Sequence, residues 1–529
     1  MFRALSIQRR EWWFVGLWAT GIALISVVPY LYAATVTPPG YVYMGTHHIC
    51  AEDTYSYLAW MQQAREGHSL FQNLYAVEPQ RPTIFHPLFL AAGWLARISG
   101  LSNITAYHVV RVVLVGCMAA LAYCLFSFFF RKIYTRRLAL MLLTLSSGIG
   151  WLVGSTVPST DLWMSDSVTF LSIYESPLLL LSMSLTMLAV LGVLLYLRTG
   201  GWRYLHLAGA SLLALTVCHF FAVPAAALTI VLYAVFHHQT RPVAERGIRY
   251  WPLATLSLYL LPGAVYLATV ISQRAVYGSW FTVMDFTSPP LLAYLSGFGL
   301  LVPLAACGLY RIVAERNREL AAAALWLLAI GWLVYQPVVP GLQRKFIEGA
   351  HIPVVVLATV GWRWAYRRLA DQHRQLAFAA VVIAVPVLVL SNLYVIRTDI
   401  RQFQSGVLPY YFPAGAVAGM EWIGRHTANT DVVLAGYLYS NALPGIAGRT
   451  VYFGHPYESP QSRTRWEAVQ RFYGTAASQA EKWTFLQQNR ITYVVYGSLE
   501  LTSGFSSVDG LPFLEPAYSN ADGTVYRVR

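Results

Sequence analysis

Glu52 and Asp53 are adjacent carboxylates in the run HHICAEDTYSYLAWMQQAREG, with His47 and His48 before them and Tyr55 and Tyr57 after. A carboxylate in such company suits general-base chemistry, in which a positioned group takes the proton from a hydroxyl within hydrogen-bond reach. Asp53 and Glu52 are both candidates for that role, with Tyr57 beside them for substrate contact; the structural alternative is a solvated acidic pair in a loop. The run FHPLF that follows adds His86 as a weaker candidate for substrate contact. A second stretch, STVPSTDLWMSDSVTFLSIYES, carries Asp161, Asp166 and Glu175 and no basic residue. Hard divalent cations such as Mg²⁺ or Mn²⁺ take oxygen ligands, so Asp161 and Asp166 are candidate metal ligands, or caps of the helix expected near Ser165.

The run PGLQRKFIEGAHIP places Arg344 beside Lys345, one of only three lysines in the chain. A guanidinium binds a phosphate as a fork and an ammonium binds it as a point charge. Together they would also stabilise negative charge growing on a leaving phosphate. The alternatives are contact with lipid headgroups or pairing with Glu348. His351, at the start of the next apolar run, would assist or pack structurally. Arg111 sits inside an apolar run, where a charge is costly and tends to have a partner. It would reach Asp53 or a phosphate, or extend its head toward water. Near the C-terminus, TVYFGHPYESPQSRTRW offers His455 and Glu458 without a nucleophile motif or metal spacing. Acceptor binding or a structural cap fits them better than a second active site.

The elements that must hold these residues are set by composition. The chain has 529 residues, 57% hydrophobic and only 12% charged, with a mean hydropathy of +0.49. Soluble proteins carry about 25% charged residues. Apolar runs near twenty residues recur, so the chain is a polytopic membrane protein. A soluble enzyme, a secreted disulfide scaffold and a DNA-binding domain are excluded. The formal charge of +13 belongs to Arg-rich loops, the positive-inside bias of cytoplasmic segments, and implies no nucleic-acid partner. Four of the five cysteines, Cys117, Cys124, Cys218 and Cys307, fall in apolar runs, and Cys50 lies in a loop. No internal disulfide is expected.

The first apolar run, to about Ala34, is read as a retained helix rather than a signal peptide, with its N-terminus in the cytoplasm. Ten further runs lie near 106–130, 138–156, 176–197, 204–219, 221–236, 251–272, 289–311, 320–337, 351–366 and 376–396, making about eleven spans. The 204–236 stretch reads as one bent helix or two short ones. RKIYTRR, RTGGWR, HHQTRPVAERGIR, YRIVAERNRE and RWAYRRLADQHR fall on the cytoplasmic side. The segment 35–105 forms a long first exterior loop with amphipathic helices. Residues 1–396 therefore form the transmembrane module and 397–529 a small exterior α/β domain. Its strands are expected at DVVLAGYL, RTVYFG, ITYVVYG and GTVYRV.

The acidic pair after the first helix, the Tyr-rich helix behind it, and the order of EDTYSYLAWMQQAREG, SSGIGWL, STDLWMSDSVTF, QRKFIEGAHIP and AGRTVYFGHPYESP resemble the GT-C superfamily. These are polytopic glycosyltransferases that use lipid-phosphate-linked sugars. They include protein O-mannosyltransferases, the aminoarabinose transferase of lipid A and oligosaccharyltransferases. The chain is most similar to bacterial membrane proteins of this type. The resemblance implies Asp53 as catalytic base, with Glu52 as the alternative, and donor-phosphate binding at Arg344 and Lys345. It implies a polyprenyl-phosphate sugar as donor, an envelope lipid, glycan or protein as acceptor, inverting chemistry, and a multi-pass protein of the plasma membrane. Asp161 and Asp166 are not the tight acidic pair that oligosaccharyltransferases use for metal. A transporter of lipid-linked glycan, or an inactive assembly scaffold, are the rival readings.

Overall fold

Every apolar run forms helix, as a chain in lipid must, because only a helix satisfies its backbone hydrogen bonds within one segment. The computed structural model describes residues 5–49, 51–240, 249–278, 280, 285–406 and 408–529. Cys50 and the Arg-rich loop at 241–248 lie outside the described residues. Among those described, seven helices are long and apolar enough to cross a membrane, or eight if the pair Leu291–Phe298 and Leu301–Ala314, bent by 89°, counts as one span. The 202–240 stretch counts once by length, yet it breaks at His219 and a short turn into Trp202–His219 and Val223–Thr240. Trp202 meets the Trp251 ring at 5.6 Å and His237 Nδ1 lies 2.7 Å from the Tyr250 hydroxyl, so both ends of the stretch meet one segment. Its middle residue His219 pairs instead with Glu348 at 2.7 Å. The stretch thus goes across and returns, as two helices of about 27 Å each. Ala321–Leu333 and His351–Gln372 complete the eleven apolar runs.

The chain divides into two compact units. The first comprises residues 1–28, 110–266 and 285–398 and is helical. At one end its Arg-rich loops converge on a cavity of about 1260 Å³ lined by Arg131, Lys132, Arg198, Arg311, Arg363 and Arg367, among others. Four of the five loops that the charge pattern assigns to a single side supply these residues. Behind them Arg136 pairs with the buried Glu11 at 3.1 Å, and Tyr123 donates to the same carboxylate at 2.5 Å. Helices Leu301–Ala314 and His351–Gln372 touch backbone to backbone. A Cβ on Gly308 would sit 1.9 Å from the Leu357 carbonyl oxygen, and one on Gly361 would sit 1.9 Å from that of Leu304. Small residues allow this close approach between membrane helices.

The second unit comprises residues 29–109, 267–284 and 399–529. It therefore joins the first long loop to the C-terminal segment. β1 (Tyr41–Tyr43) pairs antiparallel with β2 (Tyr411–Pro413). A five-stranded mixed sheet follows, built of β3 (Val432–Leu434), β4 (Thr450–Val451), β5 (Tyr493–Gly497), β6 (Leu514–Asn520) and β7 (Gly523–Val528) in the order β4-β3-β5-β7-β6. β3 runs parallel to β4 and β5, and β7 antiparallel to β5 and β6. The four expected strands are β3, β4, β5 and β7. Helix Tyr437–Ala447 makes the crossover between the parallel β3 and β4, a connection that parallel strands require. The same helix lies against Ala51–Glu66, where Gly445 removes the side chain that would meet Leu58.

Candidate active site

Helix Ala51–Glu66 begins with Glu52 and Asp53 in its first turn, where the free backbone N–H groups favour negative charge. The Asp53 side chain is 43% exposed, and its Oδ1 lies 3.4 Å from Nε2 of the buried His455. The loop GHPYES builds a cup for that imidazole. The Ser459 hydroxyl accepts the backbone N–H groups of Gly454 and His455 at 3.2 Å each. The Tyr457 and Glu458 N–H groups both donate to His455 Nδ1 at 3.1 Å. An imidazole nitrogen that accepts two N–H bonds carries no proton, so the ring proton sits on Nε2, the nitrogen 3.4 Å from Asp53 Oδ1.

The electrostatics follow from burial. Glu458 is pushed up to about 7, first by burial, with His455 opposing and the Asp53 charge adding. Burial disfavours the charged form of His455, but Asp53, Glu458 and Glu52 outweigh it and raise its pKa. Tyr437 is raised by burial and by its hydrogen bond to Glu52, and so keeps its proton. Asn73 Nδ2 donates to the Glu458 backbone oxygen at 2.8 Å, and Tyr75 donates to the Asn441 carbonyl at 2.8 Å. Asp53 thus lies beside a buried imidazole held in one tautomer, and Glu52 adds its charge to the same imidazole. This arrangement can take up a proton from a hydroxyl at Asp53 while His455 steadies the carboxylate.

The sequence placed Tyr57 and His86 near this site as substrate contacts. Tyr57 stacks on Phe89 with centroids 4.6 Å apart, and the buried His86 stacks on Trp60 at 5.5 Å. Both hold helix Ala51–Glu66 to Pro87–Ser99. The partner of Asp53 that sequence reasoning missed is His455, read there as an acceptor-binding residue or a structural cap. Its only signal is the company of Glu458 in HPYES, because nothing local links that loop to Asp53.

The remaining candidates lie in the first unit. Arg344 and Lys345 occupy a short turn, Gln343–Ile347. The Arg344 guanidinium lies over the rings of Phe286 and Trp163, 4.8 and 5.3 Å from their centroids. Its Nε is buried with no hydrogen-bond partner among the described residues. Lys345 donates to Asp166 Oδ2 at 3.4 Å. Glu348 pairs with His219 at 2.7 Å. Asp161 is fully buried. It accepts the Ser159 hydroxyl at 2.5 Å and the Gly150 N–H at 3.1 Å, and burial raises its pKa against those bonds. Asp161 thus closes a turn while Asp166 faces Lys345. No group of three or more metal-ligating side chains forms around either of them among the described residues. Nor does Asp166 cap a helix starting near Ser165, since the helix there is Thr169–Glu175 with Val168 before it. Arg111 is buried and donates to the Ile173 carbonyl at 2.6 Å and the Ser26 hydroxyl at 3.0 Å. His351 is buried between Ser146 Oγ at 3.1 Å and Thr169 Oγ1 at 3.0 Å. Both tie helices together.

No family model matches the sequence, and no curated protein matches it. Solved structures do match. ArnT from Cupriavidus metallidurans bound to undecaprenyl phosphate is similar over 96% of this chain and 98% of its own, at 11% identity and a TM-score of 0.55. The Archaeoglobus fulgidus oligosaccharyltransferase tethered to an acceptor peptide containing the NVT sequon is similar over 98% of this chain and 74% of its own, at 13% identity and a TM-score of 0.54. The oligosaccharyltransferase AglB of the same organism, in complex with an inhibitory peptide and a dolichol-phosphate, covers 98% and 75% at 12% identity and a TM-score of 0.50. At these identities the likeness is one of architecture. A helical membrane protein with a mixed-sheet C-terminal region, matched by such structures along nearly its whole length, has the GT-C fold.

Proposed function

We propose that the protein is a membrane glycosyltransferase. It moves a sugar from a polyprenyl-phosphate donor to an envelope lipid, glycan or exported protein at the outer face of the plasma membrane, with the N-terminus in the cytoplasm. The observation that carries this reading is Asp53 Oδ1 at 3.4 Å from Nε2 of a buried, tautomer-fixed His455, on a GT-C fold. Asp53 takes the proton of the acceptor hydroxyl. The acceptor oxygen bonds to the anomeric carbon from the face opposite the leaving group, and the bond from that carbon to the phosphate oxygen breaks. The configuration inverts, and the polyprenyl phosphate leaves with the electron pair. Arg344 and Lys345 hold the donor phosphate and stabilise the charge it gains. The buried Nε of Arg344, without a hydrogen-bond partner among the described residues, supports that role. So does an apolar cavity of about 540 Å³ in the same unit, lined by Tyr294, Phe298, Ile330, Ile347 and Val354, among others, which suits a polyprenyl chain. ArnT and AglB, in the structures matched, hold undecaprenyl phosphate and dolichol-phosphate.

Purified protein in nanodiscs, offered radiolabelled polyprenyl-phosphate sugars and envelope extract, tests the proposal. Asp53→Asn is expected to lower transfer by about 10²–10⁴-fold, the range for a lost general base, while donor binding survives. Equal transfer by Asp53→Asn would remove Asp53 as base and point to Glu52. Movement of an intact lipid-sugar across the bilayer without transfer would establish the transporter reading instead.

A further inference from the structure

We infer that His47, His48 and Asp399 form a binding site for one divalent cation of the zinc class, separate from the site of sugar transfer. All three lie in the second unit. Each can offer one donor atom, and the three atoms lie within 4.8 Å of one another. They form the only such group of three or more metal-ligating side chains among the described residues. Asp399 is fully buried and His47 is 3% exposed. A cluster so enclosed holds its geometry better than surface side chains do.

The donor set selects the metal. Two imidazole nitrogens and one carboxylate oxygen suit zinc or cobalt, whereas magnesium and calcium take oxygen ligands. Three protein ligands leave one position for water. The His48 imidazole Nδ1 now lies 2.6 Å from Asp399 Oδ1, and the His48 backbone N–H donates to the same oxygen at 3.2 Å. Zinc bonds of about 2.0–2.2 Å set tetrahedral ligands roughly 3.3 Å apart. The close pair therefore opens slightly as the metal replaces a proton, and the wider spread contracts. The Ile49 N–H donates to His47 Nδ1 at 3.2 Å, and ligation through either ring nitrogen exchanges that contact for a metal bond. The Tyr30 ring meets His47 edge-on at 5.7 Å and packs on His108 at 4.4 Å, and His108 Nε2 lies 2.9 Å from the Gly45 carbonyl. These groups wall the cluster with aromatic surface.

The consequence lies in chain order. His47 and His48 come just before helix Ala51–Glu66, and Asp399 lies near the end of helix Arg374–Gln404. A cation there pins the entry of the helix that carries Glu52 and Asp53 to the start of the C-terminal segment. It positions that helix and takes no part in bond making.

The test uses full-length protein purified without a histidine tag, stripped with EDTA and placed in nanodiscs. Zn²⁺ content after re-equilibration is read by mass spectrometry, and Co²⁺ uptake by its visible spectrum. One equivalent of either metal is expected in wild type. Asp53→Asn and Asp166→Asn are expected to retain it. His47→Ala and Asp399→Asn are expected to lose at least about tenfold in affinity. Less than half an equivalent in wild type, or undiminished uptake by His47→Ala and Asp399→Asn, overturns the inference. Should those two variants fail to fold, the wild-type Co²⁺ spectrum decides. Intense bands of nitrogen-containing low coordination support the site, and the weak bands of six oxygen ligands overturn it.

Discussion

A carboxylate exposed to solvent is an ordinary weak base, and its neighbours give Asp53 its specific use. His455 places Nε2 3.4 Å from it, from a buried cup whose two backbone donors hold Nδ1. His455→Gln, which keeps a donor at similar reach, is expected to retain more transfer than His455→Ala. Both should act on kcat with the donor KM unchanged, measured by steady-state transfer. Glu458 gives a second reading of the same cluster. Its pKa is raised to about 7 from an ordinary value of 4.5. Between those values the folded protein keeps a proton that the unfolded chain has released, so stability falls as pH rises through that window. The cost is complete above about 7. Glu458→Gln is therefore expected to be more stable than wild type near about pH 8, by on the order of 3 kcal/mol, and equal to it near about pH 4. Thermal unfolding at the two pH values measures this. Arg344→Ala, by contrast, should raise the donor KM more than it lowers kcat.

At the scale of elements, two glycine contacts decide how close helices come. Helix Tyr437–Ala447 rests on Ala51–Glu66 because a Cβ on Gly445 would lie 2.8 Å from Leu58 Cβ. Gly445→Val is expected to lower stability by about 1–3 kcal/mol, as overpacking does, and to reduce transfer by shifting the helix that bears Asp53. Gly116→Ala, with nothing within 4 Å of the added carbon, is the control. Scanning fluorimetry of the two variants separates packing from propensity. Helices and strands were largely legible before the fold, since hydropathy over twenty residues and alternation over five report on local burial. Helices Ala414–His426 and Tyr437–Ala447 and strand β6 went unread. The first two are short and carry Gly and Pro, as in the inner Pro444. β6 has Glu515 and Pro516 at exposed positions on a sheet edge, where no apolar alternation is needed.

For the whole molecule, the charge pattern makes a claim that geometry supports in one respect. Four of the five Arg-rich loops gather at one end of the first unit, as loops sharing one compartment must. In a cysteine-free background, Ser503→Cys is expected to react with an impermeant maleimide on intact cells. His373→Cys is expected to react only after permeabilisation. The reverse pattern would invert the orientation.

The sequence by itself determined the membrane class, the eleven helical runs, the sidedness pattern of the loops and the α/β character of the C-terminus. Each of these depends on hydrophobicity, charge or strand propensity within one short segment, and such properties act locally. It also singled out Asp53, Arg344 and Lys345 as the residues to watch. Only the tertiary structure decided which polar groups answer one another. His455 meets Asp53, Asp166 meets Lys345, His219 meets Glu348 and Asp399 meets His48. It also turned Arg111, His351 and Asp161 into struts. A buried polar side chain must find a partner wherever the fold brings one. That partner is set by the packing of segments distant in sequence, which no local pattern encodes.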